Sequence, residues 1–138
     1  MSRAASYRLL LIAGLLLVAV GLGVLIDPLA VAGSSPTLGS ETNLMSELRG
    51  PGGLLLACGI LIVIGAVRST HTQLALTLSA LAFGGFGLSR LVSLLLDGIP
   101  SGAVLAAMAL ELLIGGLSVI ALLSRDGDGA RRPVGVGR

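Results

Sequence analysis

Residues 73–123 read QLALTLSALAFGGFGLSRLVSLLLDGIPSGAVLAAMALELLIGGLSVIALL. Two apolar arms flank the polar run Asp97-Gly98-Ile99-Pro100-Ser101-Gly102, and each arm carries one ionisable residue, Arg90 in the first and Glu111 in the second. Each arm reaches the ~20 residues that carry a helix across a hydrocarbon layer of ~30 Å. Gly98 and Pro100 are turn chemistry. The stretch therefore predicts two antiparallel membrane helices, 73–96 and 103–123, joined by a tight turn. A charge in hydrocarbon costs free energy unless it is paired or hydrated, so Arg90 and Glu111 mark where something specific happens.

The same pattern recurs upstream. Leu9 to Ile26 is an apolar run closed by Arg8 on one side and Asp27-Pro28 on the other, about 27 Å at helical rise. Arg3 and Arg8 could open a signal peptide, with Ala30-Val31-Ala32 as a weak cleavage site. The apolar run is longer than a usual signal core, and Asp27-Pro28 interrupts it before that site, so a retained helix is expected. Gly33-Ser34-Ser35-Pro36 and Gly39-Ser40 then read as linker. The clean run Leu54 to Val67 covers only ~21 Å, too short to span. Its helix must begin earlier, near Asn43 or Ser46, with Pro51 in its first turns, where a kink is expected. Arg68-Ser69-Thr70-His71-Thr72 is a short connection that makes the second and third helices antiparallel neighbours.

These readings define an all-α, integral membrane, four-helix antiparallel bundle. Residues 1–8 form the N-terminus, 9–123 the transmembrane domain (spans 9–26, 46–67, 73–96 and 103–123), and 124–138 a disordered tail. The composition agrees: 54% hydrophobic and 12% charged residues leave no charged shell for a soluble domain. Arg3, Arg8, Arg68, Arg125, Arg131, Arg132 and Arg138 fall on one side of such a bundle. Asp27, Glu41, Glu47, Arg49 and Asp97 fall on the other. The positive-inside rule then puts both termini in the cytoplasm. The arginines form no basic face with interleaved aromatics, so no nucleic-acid partner is expected. Gly14 and Gly21, and likewise Gly52 and Gly59, repeat on one helix face and suit close packing.

Across the hairpin, Arg90 lies seven residues before Asp97 and Glu111 eight after Ala103, which matches their depths at ~10 and ~12 Å along a helix. Pairing is the cheapest way to keep both charges from lipid. Glu47 and Arg49 approach from the same side, and Asp97 shares a face with Arg90. With Ser89 and Ser93 as hydroxyl neighbours, these residues are expected to converge on one outward-opening polar pocket. Two readings of that cluster stand side by side. An Arg–Glu pair can serve only to set helix packing and register, or the charges can bind an anionic headgroup or solute, or relay protons.

Other chemistries lack their residues. His71 is the one histidine and lies in a connection, so haem held by two intramembrane histidines does not fit. Cys58 is the one cysteine, which leaves no redox pair and points to packing. Neither a metal site nor a cofactor is expected. Phe83-Gly84-Gly85-Phe86-Gly87 is not a nucleotide loop, because no strand precedes it.

Asn43 with Glu47-Leu48-Arg49-Gly50 and Gly52-Gly53, Ser89-Arg90-Leu91 with Ser93, Asp97-Gly98-Ile99-Pro100-Ser101, and Glu111-Leu112 with Gly115 resemble a family of small bacterial four-helix membrane proteins, domain of unknown function 4345. The resemblance covers roughly residues 9–123. It implies the architecture and the importance of these polar positions, and brings no activity, substrate or cofactor. Where that pattern often has an aromatic before the glycine pair, this chain has Pro51.

The expected function is that of a small bacterial inner-membrane protein, non-enzymatic, either an accessory subunit or a binder of a lipid-like ligand. Its partners would be membrane lipid and a larger membrane complex or further copies of itself. The alternative is a small proton-coupled transporter using Glu111. A membrane enzyme ranks third, because no nucleophile or metal set is recognisable.

Overall fold

The computed structural model describes residues 2–32 and 42–130. The linker glycines and serines, Glu41 and the arginines at 131, 132 and 138 lie outside the described residues. The described chain is helical: α1 (Arg3–Ile26), a one-turn α2 (Pro28–Ala32), α3 (Thr42–Val67), a 3₁₀ turn (Ser69–His71), α4 (Thr72–Asp97) and α5 (Gly102–Ala130). Four of these are long and apolar enough to cross a membrane.

The long helices outrun their apolar stretches. α1 begins at Arg3 because the Ser2 hydroxyl accepts from the Ala5 amide at 3.2 Å, an N-cap. α3 begins at Thr42 and passes through Pro51. α5 continues to Ala130, so residues 124–130 of the expected disordered tail are helical. Extending an existing helix adds one hydrogen bond per residue and needs no new nucleus. The short α2 was not expected. Asp27 builds it, closing α1 through its amide (to Gly23 O, 2.8 Å) while its carboxylate accepts from the Ala30 amide at 3.0 Å. Pro28 then takes the first helical position, where its missing N–H costs nothing.

The four long helices form two tight antiparallel pairs, α1 on α3 and α4 on α5, with α3 also against α4. α1 touches both α4 and α5, whereas α3 and α5 do not approach each other among the described residues. The α1–α3 seam is glycine against backbone. A Cβ built on Gly14 would lie 3.0 Å from Gly59 O, and one on Gly21 2.8 Å from Gly52 O. Gly59 and Gly52 face back at Gly14 and Gly21 in the same way. Small residues let helices approach this closely, and dispersion then acts along the whole seam.

The α4–α5 pair is registered by a ladder of contacts. Ser79 and Ser118 share a buried hydroxyl hydrogen bond of 2.8 Å. A Cβ on Gly115 would meet the Gly84 amide nitrogen at 2.7 Å, and one on Gly87 would meet Leu112. Arg90 and Glu111 form the next rung toward the turn. The turn itself depends on Gly98, at φ 96 and ψ −170, a region essentially closed to residues with a side chain. Gly98→Ala is expected to lower stability by about 1–3 kcal/mol. Thermal unfolding in detergent measures this, and an unchanged midpoint would mean that the turn relaxes freely.

The core runs between the pairs, through Leu10, Leu17, Ile62, Leu76, Phe83 and Ile114. The outward faces carry Ile12, Leu15, Leu54, Leu81, Leu88 and Leu113, all exposed.

Candidate functional site

Arg90 sits on α4 and Glu111 on α5, one rung below the Gly87–Leu112 contact. The close backbone approach at Gly84–Gly115 leaves only side-chain length between them. The Arg90 Nε donates to both carboxylate oxygens of Glu111, at 2.9 Å to Oε2 and 3.2 Å to Oε1. The pair is only partly enclosed: the Arg90 side chain is 35% exposed and that of Glu111 15%. A bidentate fork normally uses two nitrogens. Here one nitrogen serves both oxygens, and the terminal Nη groups of Arg90 have no hydrogen-bond partner among the described residues.

The pair forms the polar wall of a cavity of about 90 Å³. The other walls are apolar: Leu16, Leu17 and Val20 from α1, Leu55 from α3, Phe83 and Phe86 from α4. All four long helices thus contribute. α1 supplies three of these residues because it lies across from α4 and touches both α4 and α5. Sequence reasoning did not mark these side chains, since nothing distinguishes a cavity leucine from a packed one before the helices are assembled.

The remaining residues of the expected polar cluster do not join Arg90 and Glu111, and none of them lines this cavity. Arg49 turns to α1, where its Nε donates to Leu25 O at 3.1 Å. The last carbonyls of a helix lack intrahelical donors and attract cations, which gives Arg49 its partner at this C-terminus. Ser93 donates to Asp97 at 2.7 Å, one turn along the same helix. Ser89 donates to Phe86 O at 2.8 Å and so bonds its own backbone. Its neighbours Leu81, Ala82, Gly85 and Phe86 line a separate shallow surface groove with it. Glu47 is exposed, with no hydrogen bond among the described residues. A common side of the bundle does not make residues converge: Arg49, Ser89, Ser93 and Asp97 each take another backbone or side-chain partner, and Glu47 takes none among the described residues.

Among the described residues no group of histidine, cysteine and carboxylate side chains is arranged to hold a metal. The cavity presents a cation held by a carboxylate, with N–H donors that have no partner among the described residues, beside an apolar hollow.

A family model matches residues 7–122, which takes in the apolar part of all four long helices and both members of the ion pair. No curated protein and no solved structure matches the chain. The match covers most of the sequence, and the chain belongs to the family described as Domain of unknown function (DUF4345).

Proposed function

We propose that this chain is a small multi-pass inner-membrane protein, with both termini cytoplasmic, that binds an anionic lipid-like molecule at the Arg90–Glu111 cavity and has no catalytic activity of its own. The observation that carries this reading is the single-nitrogen pairing of Arg90. Glu111 neutralises the guanidinium in place, and the remaining N–H donors are left for a phosphate or carboxylate head. The apolar hollow beside them suits the adjoining hydrocarbon. Four long helices with apolar outward faces support the membrane setting. The arginine asymmetry supports the orientation.

Ligand binding is tested by extracting the full chain in mild detergent and analysing the bound lipids by mass spectrometry. Wild type should retain an anionic amphiphile. Arg90→Lys keeps the charge opposite Glu111 but replaces the fork by a point charge, and should lose roughly tenfold in retention, or ~1.4 kcal/mol. Equal retention by both proteins would sink the reading. Flux in proteoliposomes driven by a pH gradient would favour a proton-coupled carrier instead.

Orientation is tested by single cysteines at Ser69 and at Ser101 in a Cys58→Ser background. Membrane-impermeant maleimide should reach position 101 from outside intact cells and leave position 69 unlabelled. The reverse pattern would invert the topology.

A further inference from the structure

A second cavity lies at the opposite end of the bundle from the Gly98 turn. Its volume is about 320 Å³, some ten times the ~30 Å³ share of one water. The start of α1, the end of α3, the start of α4 and the far part of α5 all meet there. Arg3 and Arg125 line it from α1 and α5, together with Tyr7, Ser69 and Thr72, and no carboxylate stands among the described lining residues. Neither arginine forms a salt bridge among the described residues.

The frame of this cavity is held in place. Thr72 is buried, and its hydroxyl donates to Gly65 O at 3.2 Å, pinning the start of α4 to the end of α3. Ser6 is buried too and bonds back to Ser2 O. The Tyr7 and Ser69 hydroxyls keep no hydrogen-bond partner among the described residues. Two cations and two free hydroxyls around one hollow is an arrangement for an anion with several acceptor oxygens. The ring of helix ends puts it where an apolar bundle would meet the headgroup layer, and basic pockets between membrane helices hold anionic headgroups there.

We propose that this cavity binds a phosphate group, carried by the headgroup of an anionic phospholipid, between Arg3 and Arg125. Each arginine supplies charge-assisted donors, and the Tyr7 and Ser69 hydroxyls donate to the remaining oxygens. The site is separate from Arg90, shares no residue with its cavity, and stands whether or not that cavity takes a ligand.

The test uses the full chain in mild detergent, with phosphatidylglycerol, phosphatidylcholine and inorganic phosphate as probes and native mass spectrometry as readout. Wild type should bind phosphatidylglycerol in preference to phosphatidylcholine. Arg3→Gln or Arg125→Gln should each weaken it about fivefold, and the double variant about 25-fold, as expected of arginines near a membrane surface. Unchanged melting in phosphatidylcholine shows that the variants fold. Salt provides a check without mutation: affinity of the wild type should fall as screening shortens to ~3 Å at 1 M. Competition by millimolar inorganic phosphate would assign the site to phosphate from solution as well as from lipid. Its absence would restrict the site to the headgroup. Repeating the Arg3 and Arg125 comparison in an Arg90→Lys background, which weakens the other cavity, should give the same fold losses and so separates the two cavities. Equal binding of the two lipids by wild type, or wild-type affinity in the double variant, would overturn the proposal.

Discussion

Gly21→Ala should destabilise the bundle by about 3 kcal/mol, the upper end of what overpacking costs, while Gly53→Ala should stabilise it by about 0.5–1 kcal/mol. The two substitutions add the same methyl group to a helix. At Gly21 that methyl carbon would lie 2.5 Å from the Leu56 amide nitrogen, 2.8 Å from Gly52 O and 2.9 Å from the Leu56 Cα. Each of these is backbone, so no side chain can turn aside and the two helices must separate. Separation also loosens the Gly14–Gly59 contact on the same seam. At Gly53 nothing lies within 4 Å, and only the conformational freedom of glycine is lost. Thermal unfolding of both variants in one detergent is the measurement. Equal effects at the two positions would show that the α1–α3 seam is not where stability resides.

Breaking the ion pair should cost nearly as much. Arg90→Ala and Glu111→Ala each strand a charge whose insertion into hydrocarbon costs roughly 2.5–3.5 kcal/mol when unpaired. Arg90 is about one-third exposed, so snorkelling of the longer side chain reduces the cost on that side. Glu111→Ala should nevertheless be the worse of the two. A lone carboxyl can take up a proton and become neutral, whereas a guanidinium cannot lose one. The double change to Ala should cost less than the sum of the singles, with a coupling of about 0.5–3 kcal/mol. A thermal-shift double-mutant cycle measures that coupling. Strict additivity would falsify the pair as an energetic unit and leave two independent polar residues.

These predictions differ in what the sequence could say about them. The helices were legible because apolar length is a one-dimensional property: Leu9 to Ile26 and residues 103–123 announce themselves without reference to anything else. Their ends were less so. Ser2 and Asp27 are local capping signals that extended α1 and created α2, and the Asp27-Pro28 pair could have been read as a helix start rather than only a stop. Arg90 and Glu111 could be matched in depth because a short turn gives both arms a common origin, and counting residues then gives height.

Direction around a helix axis is a different quantity, and residue counting from a turn does not supply it for helices joined through longer segments. Arg49, Ser93 and Asp97 lie toward the same end of the bundle as the pair, yet the structure sends Arg49 to the end of α1 and joins Ser93 to Asp97. The same limit hid both cavities. The hollow beside Arg90 takes residues from four helices, and the basic hollow at the other end joins Arg3 to Arg125, which are far apart in the chain. By itself the sequence determined the number of long helices, their antiparallel order and the depth of the two inner charges, because hydrophobic length and short turns act locally. Tertiary structure alone decided which faces meet, because that choice is made by glycine-permitted backbone contacts such as Gly21 on Gly52 and Gly115 on Gly84, and these exist only once two helices are side by side.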